Sequence, residues 1–532
     1  MNMASSPLSI PDLNAGSLFL SQLPLANPPL AEQQLIDFLD ALIANPPEPG
    51  VLLALLEQTR VPLSFVEEEM ARNYHNKPLV LSDEQEKCFQ QVLSAWQRMS
   101  KAYALCARLQ EPAADSPQYA TLIATVLHRC LYYTGMTIIE HFRARREIPA
   151  GIWHDLHGYY ETAEQWGVTC TPVNDSLEND LLATHCAAAY VTLLLIEIAN
   201  PYSNSVRDLN LVRRWAGMWA PLVSLHNVDD EYEVPPYVVE LMNDQPLHPT
   251  GASDSIGHDA RRLDTSRLGL QLSHMLAQLH QRLTPSQLGL GEDTSGHVIR
   301  LLERLSGPWT QTASPRRFRR FASEGTAKVA VGYEAMHFYV GGKEFTQPDA
   351  ADAYSRNQFD ELFTFRERAA PGQQLSIKSH TSFPVDEWTV INHSANGFRL
   401  GRSHAGQRMS HSQLLAVCPH DGERFLLGQA SWLMQENSGG LVVGLAVLPG
   451  MPEAIGIRHA PAAPGYENRY VRAFLLPAIP AIGQEGSIVI PVGMYKASGL
   501  LEVVADGQTW QLRMQHVRQR GVDFDRVSYE KP

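Results

Sequence analysis

The chain has 532 residues, 44% hydrophobic and 19% charged, which excludes a disordered chain and allows several globular, soluble domains. Its formal net charge of −14 argues against a coat for nucleic acid or an anionic membrane. The charge is uneven: residues 1–312 hold 20 Lys+Arg against 36 Asp+Glu, and residues 313–532 hold 23 against 21. An acidic front of −16 therefore meets a back of +2 near residue 312, and an anionic ligand is expected at the back.

The N-terminus, MNMASSPLSIPDLNAG, has no Lys or Arg and no long apolar core, so it does not read as a signal peptide. The most apolar run, Ala187–Ile196, is far shorter than the roughly 20 residues that span a bilayer. Six cysteines (Cys88, Cys106, Cys130, Cys170, Cys186 and Cys418) form no CxxC pair and read as buried thiols of a cytoplasmic protein.

Residues 1–30, rich in Pro, Ser and Asn, predict a mobile arm. From Glu32 to about Leu305 the pattern is helical, as in Leu35, Ile36, Leu39, Leu42 and Ile43. Further stripes fall around 85–109, 117–144, 178–199, 207–226 and 264–283, with breakers at Pro46-Pro47, Pro112 and Pro235-Pro236. Ser82 or Asp83 offers a helix cap, with Glu84 and Glu86 at the positive end of the dipole. The stretch WHDLHGYYETAEQWGV, with Trp153, Leu156 and Tyr160 on one face, resembles the first helix of a tetratricopeptide repeat. No second copy follows at a period of roughly 34 residues, so an amphipathic helix with an aromatic core face is the preferred reading.

After Ser314 the texture changes. Thr326–Val340 alternates apolar and polar residues and predicts a strand or a pair of strands. So do Trp388–Ile391, Phe398–Leu400, Gln413–Val417, Phe425–Met434 and Leu441–Leu448, with glycine-rich turns between several of them. Many short strands suggest a small barrel. The interval 343–386 reads as an insertion, and Pro461–Pro464 as a joint before a last β segment with strands near 487–492, 499–505, 509–518 and 521–529. The fold class expected is multidomain α plus β: an N-terminal α-helical domain (31–312) whose repeat character stays open, an antiparallel β-barrel (313–460), and an additional small β domain (461–532).

Two features carry chemistry. Arg316-Arg317-Phe318-Arg319-Arg320 precedes the first strand. A guanidinium is planar, permanently charged and forked, so it can grip phosphate, pair with guanine O6 and N7, or stack on a purine. The bland alternative is a solvated basic linker. The second feature, Asn392-His393-Ser394-Ala395-Asn396-Gly397, offers an amide suited to a guanine edge, a hydroxyl two residues on, and a glycine for close approach. An ordinary strand-end turn is the bland alternative there.

Together these resemble the PilZ domain family, whose signature is RxxxR before the first barrel strand and [DN]xSxxG after a later one. Here the halves are Arg316 to Arg320, and Asn392, Ser394 and Gly397. The run LLGQASWLMQENSGGLVVGLAVL, with Gly428, Trp432 and Gly444, is similar to the closing strands of such domains. The resemblance covers roughly residues 313–450 and implies a bacterial receptor for cyclic di-GMP. By position it implies that Arg316 and Arg320 clamp phosphates and guanines, Asn392 reads a guanine edge, Ser394 supports a phosphate or base contact, and Gly397 shapes the turn. Arg317 and Arg319 are extra positive charges without an assigned role, and the assignment shifts within the cluster if either faces the ligand instead. The 72 positions between Arg320 and Asn392 exceed the spacing of compact PilZ domains.

No GxxxxGK[ST], HExxH, GxSxG or post-strand GxGxxG motif is present. Gly289-Leu290-Gly291 opens a glycine pattern that Thr294 breaks. His393, His404, His411 and His420 lack metal-site spacing. Asp523 and Asp525 read as a solvated or salt-bridged pair. The expectation is therefore a non-enzymatic cytoplasmic effector. It needs no cofactor or metal, and cyclic di-GMP is its ligand. A protein partner is expected on the acidic helical domain, and no nucleic acid. Two alternatives stand: a helical scaffold whose PilZ-like domain no longer binds nucleotide, and an unrecognised enzyme in the helical region.

Overall fold

The computed structural model describes residues 10–108, 117–177, 183–228, 235–250, 257–311, 320–323, 325–348, 383–403, 406–460 and 469–531. The chain divides into two compact units, Met1–Lys77 with Leu81–Pro315, and Pro78–Val80 with Arg316–Pro532.

The first unit is built on α1 (Leu13–Ser21), α2 (Pro28–Ala44), α3 (Pro49–Ala71), α4 (Asp83–Arg108), α5 (Pro117–Arg143), α6 (Ile152–Gln165), α7 (Cys186–Ile198) and α8 (Val206–Trp219). After them come β1 (Ser224–Asn227), β2 (Tyr237–Glu240), β3 (His248–Pro249), β4 (Ala260–Asp264), α9 (Ser266–His280) and α10 (Ser295–Trp309). The expected apolar stripe of α2 buries Leu35, Leu39 and Leu42. Ser82 caps α4 through a capping box: its Oγ accepts from the Gln85 amide, and the Gln85 side chain accepts from the Ser82 amide. Trp153, Leu156 and Tyr160 are the buried face of α6. Long apolar α5 has the length and composition of a membrane span, yet most of it is buried and it carries Arg129 and Glu140 into the interior. Those charges are paired. Asp175 takes Arg60 at 2.7 Å and Arg129 at 3.1 Å, and Glu57 takes Arg129 at 2.8 Å.

Two expectations for this half are corrected. Residues 1–30 are not a free arm throughout: Asp12 caps α1, and Phe19 stacks on Phe38 at 5.1 Å, which docks the segment on α2. Nor is the stretch to Leu305 all helix, because β1–β4 form a four-stranded sheet in the order β1-β4-β2-β3. Its strands have two to five residues, too short for alternation to stand out. Of the cysteines, Cys170 is exposed, contrary to the expectation of buried thiols.

The second unit holds two barrels. The first comprises β5 (Phe321–Ala322), β6 (Thr326–Val331), α11 (Tyr333–Gly341), β7 (Asp386–Ser394), β8 (Gly397–Arg402), β9 (Leu414–Pro419), β10 (Leu426–Gln435) and β11 (Leu441–Val447). Its strands run β7-β6-β9-β10-β11-β8, and β8 pairs back with β7 to close the ring. Val390, Leu400, Val443 and Leu433 form one buried row across four strands. The second barrel, β12 (Glu453–His459), β13 (Val471–Leu476), β14 (Ser487–Pro491), β15 (Leu500–Ala505), β16 (Gln508–Arg520) and β17 (Phe524–Glu530), closes in the order β12-β13-β14-β17-β16-β15. Ile455, Ile457, Ile488, Leu501, Val503 and Val527 are among the residues that fill it.

The strands expected between Trp388 and Leu448 are present. The expectation of a strand through Val340 fails, because Gly332, at φ +86°, ends β6 and α11 follows. That helix packs on both barrels through Ala335 and Met336, which meet Leu414, Leu427, Phe474 and Phe524. β12 lies ahead of Pro461–Pro464, so the second barrel begins before the expected joint. Most of the interval read as an insertion, 349–382, lies outside the described residues.

Candidate functional site

The site is built on the β7–β8 hairpin. Ser394 pairs with Gly397 across a two-residue turn, and the Ser394 hydroxyl donates to Asn396 Oδ1 at 2.9 Å. A Cβ on Gly397 would sit 2.4 Å from the Leu445 carbonyl oxygen, a backbone atom that cannot swing aside, so glycine is required. The register of β7 against β8 slips between Val390 and Asn392, which leaves Ile391 as the extra residue of a bulge. The bulge resets the alternation: Val390 is buried, and Asn392 and Ser394 both face the cleft.

Across the sheet the register sets one row. Asn392 pairs with Arg399, Arg399 with Gly444, and Gly444 with Trp432. β5 runs along the same edge of β7 as β6 does, with Phe321 opposite His393 and Ala322 opposite Asn392. Arg320 therefore enters beside the Asn392–Ser394 stretch.

These residues enclose a cleft of about 180 Å³ lined by Arg320, Asn392, Ser394, Arg399 and Trp432, with Gly397 and Gly444 at its backbone floor. The Arg399 guanidinium lies over the Trp432 indole, 5.5 Å from the ring centroid. A Cβ on Gly444 would fall 1.8 Å from Trp432 Nε1, so the indole occupies the space that a side chain would take. Arg399 Nε is buried with no protein acceptor among the described residues. No described carboxylate lines the cleft, which is held by two cations and neutral polar groups. Such a surface can bind a phosphodiester through guanidinium forks, read a purine edge with an amide, and stack a base on the indole or on Arg399.

Of the residues expected from sequence, Arg320, Asn392, Ser394 and Gly397 come together in this cleft. Arg316 and Arg317 lie outside the described residues. Sequence reading missed Arg399 and gave Trp432 and Gly444 no role. Arg399 could have been found: a two-residue turn at Ala395-Asn396 makes 394 face 397, 393 face 398 and 392 face 399. Trp432 could not, because its place depends on a second bulge in β10 between Ala430 and Trp432.

Three family models match the chain in order. The N-terminal domain of the cyclic-di-GMP receptor FimW matches residues 15–231, its middle PilZ domain matches 237–369, and the FimW C-terminal beta-barrel domain matches 455–532. The middle match takes in Arg320 and ends before Asn392. The cyclic-di-GMP receptor FimW of Pseudomonas aeruginosa is 23% identical over 498 residues, covering 86% of this chain and 80% of the relative. The chain accordingly belongs to the PilZ family, in the form with a helical N-terminal region, a middle PilZ domain and a C-terminal β-barrel.

Proposed function

We propose that this chain is a cyclic di-GMP receptor that binds the dinucleotide on the outer face of β7, β8, β11 and β10. The observation that carries the reading is the pairing of β5 with β7, which sets Arg320 beside Asn392 and Ser394 in one cleft without a described carboxylate. The receptor named FimW, similar along most of the chain, supports the same ligand class. Arg320 grips phosphate or guanine, Asn392 reads a guanine edge, and Gly397 lets the ligand approach the hairpin. Ser394 chiefly holds the turn, since its hydroxyl already donates to Asn396. Arg316 and Arg317, just ahead of Arg320 in the chain, supply further guanidiniums to the same anion.

In this reading the protein transmits a signal rather than catalysing a reaction. Dinucleotide binding on the barrel is coupled to the acidic helical unit, which presents a surface to a protein partner in the cytoplasm. Ligand changes that output only by binding two states of the chain unequally. Calorimetry of the full chain with cyclic di-GMP tests the first step. Saturable binding that is lost in Arg320→Ala and in Asn392→Ala is the expected result. No heat with the wild type would favour a scaffold that has lost its ligand.

A further inference from the structure

The two barrels of the second unit can be compared strand by strand. Let the strands of each be a to f in chain order, so that a to f are β6–β11 in the first and β12–β17 in the second. In the first barrel, a pairs with b, b with c, c with f, f with e, e with d, and d with a. The second barrel follows the same circuit, and every pair in both is antiparallel. The long strand e is also irregular against f in both barrels, between Ala430 and Trp432 in one and between Met514 and Gln519 in the other. One cyclic strand order and one bulged strand recur in tandem.

The face that forms the cleft on the first barrel has a counterpart on the second. Across b, c, f and e, the outward row of the first barrel is Asn392, Arg399, Gly444 and Trp432. The outward row of the second is Phe474, Val489, Arg526 and Gln519. Phe474 and Val489 are fully buried, but outside their own barrel: with Leu476 and Phe524 they pack on Ala330, Met336, Leu414, Ala416 and Leu427. Tyr333 of α11 stacks on Phe474 at 5.7 Å. Polar contacts fix the seam. Asp523 accepts from the Leu414 amide at 2.9 Å, Val522 N donates to the Ser412 carbonyl at 3.1 Å, and Gln519 donates to Gln429 at 2.6 Å. Arg526 is buried and donates to Ser487 at 2.9 Å. The lead into β12, Leu448-Pro449-Gly450-Met451-Pro452, has no arginine, unlike the lead into β6.

We infer that the C-terminal barrel is a second PilZ-topology barrel whose ligand face has become the docking surface for the first barrel and α11, leaving one dinucleotide face per chain. The docking half stands on the strand order and the buried row. The count of ligand faces rests on the cyclic di-GMP reading. Water cannot reach Phe474 or Val489, so a dinucleotide can reach that face only by parting the barrels.

Two arms of one experiment, both on the full chain, test this. Hydrogen exchange without ligand is measured on Phe474→Ala and Phe474→Asp, the alanine serving if the aspartate fails to fold. Amides of α11 and β9 should exchange at least tenfold faster, while β15 and β16, whose core is internal to the second barrel, change less. Unchanged protection of α11 and β9 would overturn the docking. Calorimetry with cyclic di-GMP is then run on Arg320→Ala/Asn392→Ala/Arg399→Ala, which should bind at least 100-fold more weakly with no residual saturable site. A residual site that disappears on adding Arg526→Ala would overturn the single-face inference. If the wild type takes up no cyclic di-GMP, the nucleotide reading and the count fall together, and the exchange arm still decides the docking.

Discussion

Arg399→Ala is the sharpest test of the cleft, because it adds a residue that the signature motifs do not contain. Its Nε is buried without a protein acceptor among the described residues, and its guanidinium rests on Trp432 with the Cζ 5.5 Å from the ring centroid. A phosphate in the cleft that pairs with the Arg399 guanidinium forms a charge-assisted hydrogen bond, worth about 1.5–3 kcal/mol. Truncation should therefore cost about 2 kcal/mol of binding, roughly 30-fold in Kd. The fold should lose little, since a half-exposed cation–π contact is worth about 0.5–1 kcal/mol and the buried Nε has no partner to lose among the described residues. Arg399→Lys keeps the charge but not the fork and should fall between the two. Calorimetry with cyclic di-GMP and thermal unfolding, run on the same preparations, separate binding from stability. A Kd within twofold of wild type for Arg399→Ala would refute the assignment of this side chain to the ligand.

Gly397→Ala should destabilise the second unit by about 1–3 kcal/mol, since the new Cβ meets a backbone oxygen at 2.4 Å, and urea unfolding reads it. Asp386→Ala takes away the carboxylate bonded at 2.6 Å to Arg402, whose side chain is 1% exposed, and should lower stability by about 3 kcal/mol, more than Asp386→Asn does. Asp175→Ala leaves both Arg60 and Arg129 short of a partner, so the helical unit should lose at least about 3 kcal/mol by circular dichroism melts. Burial holds the His337 imidazole down at about 4, below its ordinary 6.5. Between these values the unfolded chain takes up a proton that the folded chain does not. Stability is thus full above pH 6.5 and falls as pH drops toward 4. His337→Gln should flatten that difference in denaturant titrations across pH 4 to 7, and an unchanged slope would sink the argument.

Much of the fold was legible because its signals are local. Alternation marked the strands from Trp388 to Leu448, and Ser82 or Asp83 ahead of Glu84 and Glu86 marked the start of α4. α11 was misread for a physical reason: the helix is short, with Ala335, Met336 and His337 buried and mostly apolar residues on its half-buried sides, so its apolar residues show no clear helical period. The sheet β1–β4 escaped notice because its strands are short.

The cleft divides in the same way. The residue chemistry is written in short segments: arginines ahead of the first strand, and a two-residue turn closed by the Ser394 hydroxyl on Asn396. Long-range pairing puts Arg320 along β7, stacks Arg399 on Trp432 and buries the matching face of the second barrel. Those outcomes depend on strand register, on two bulges and on the order in which strands close a ring. Each is a pairing between segments far apart in the chain, where a slip of one residue would turn every side chain to the other face.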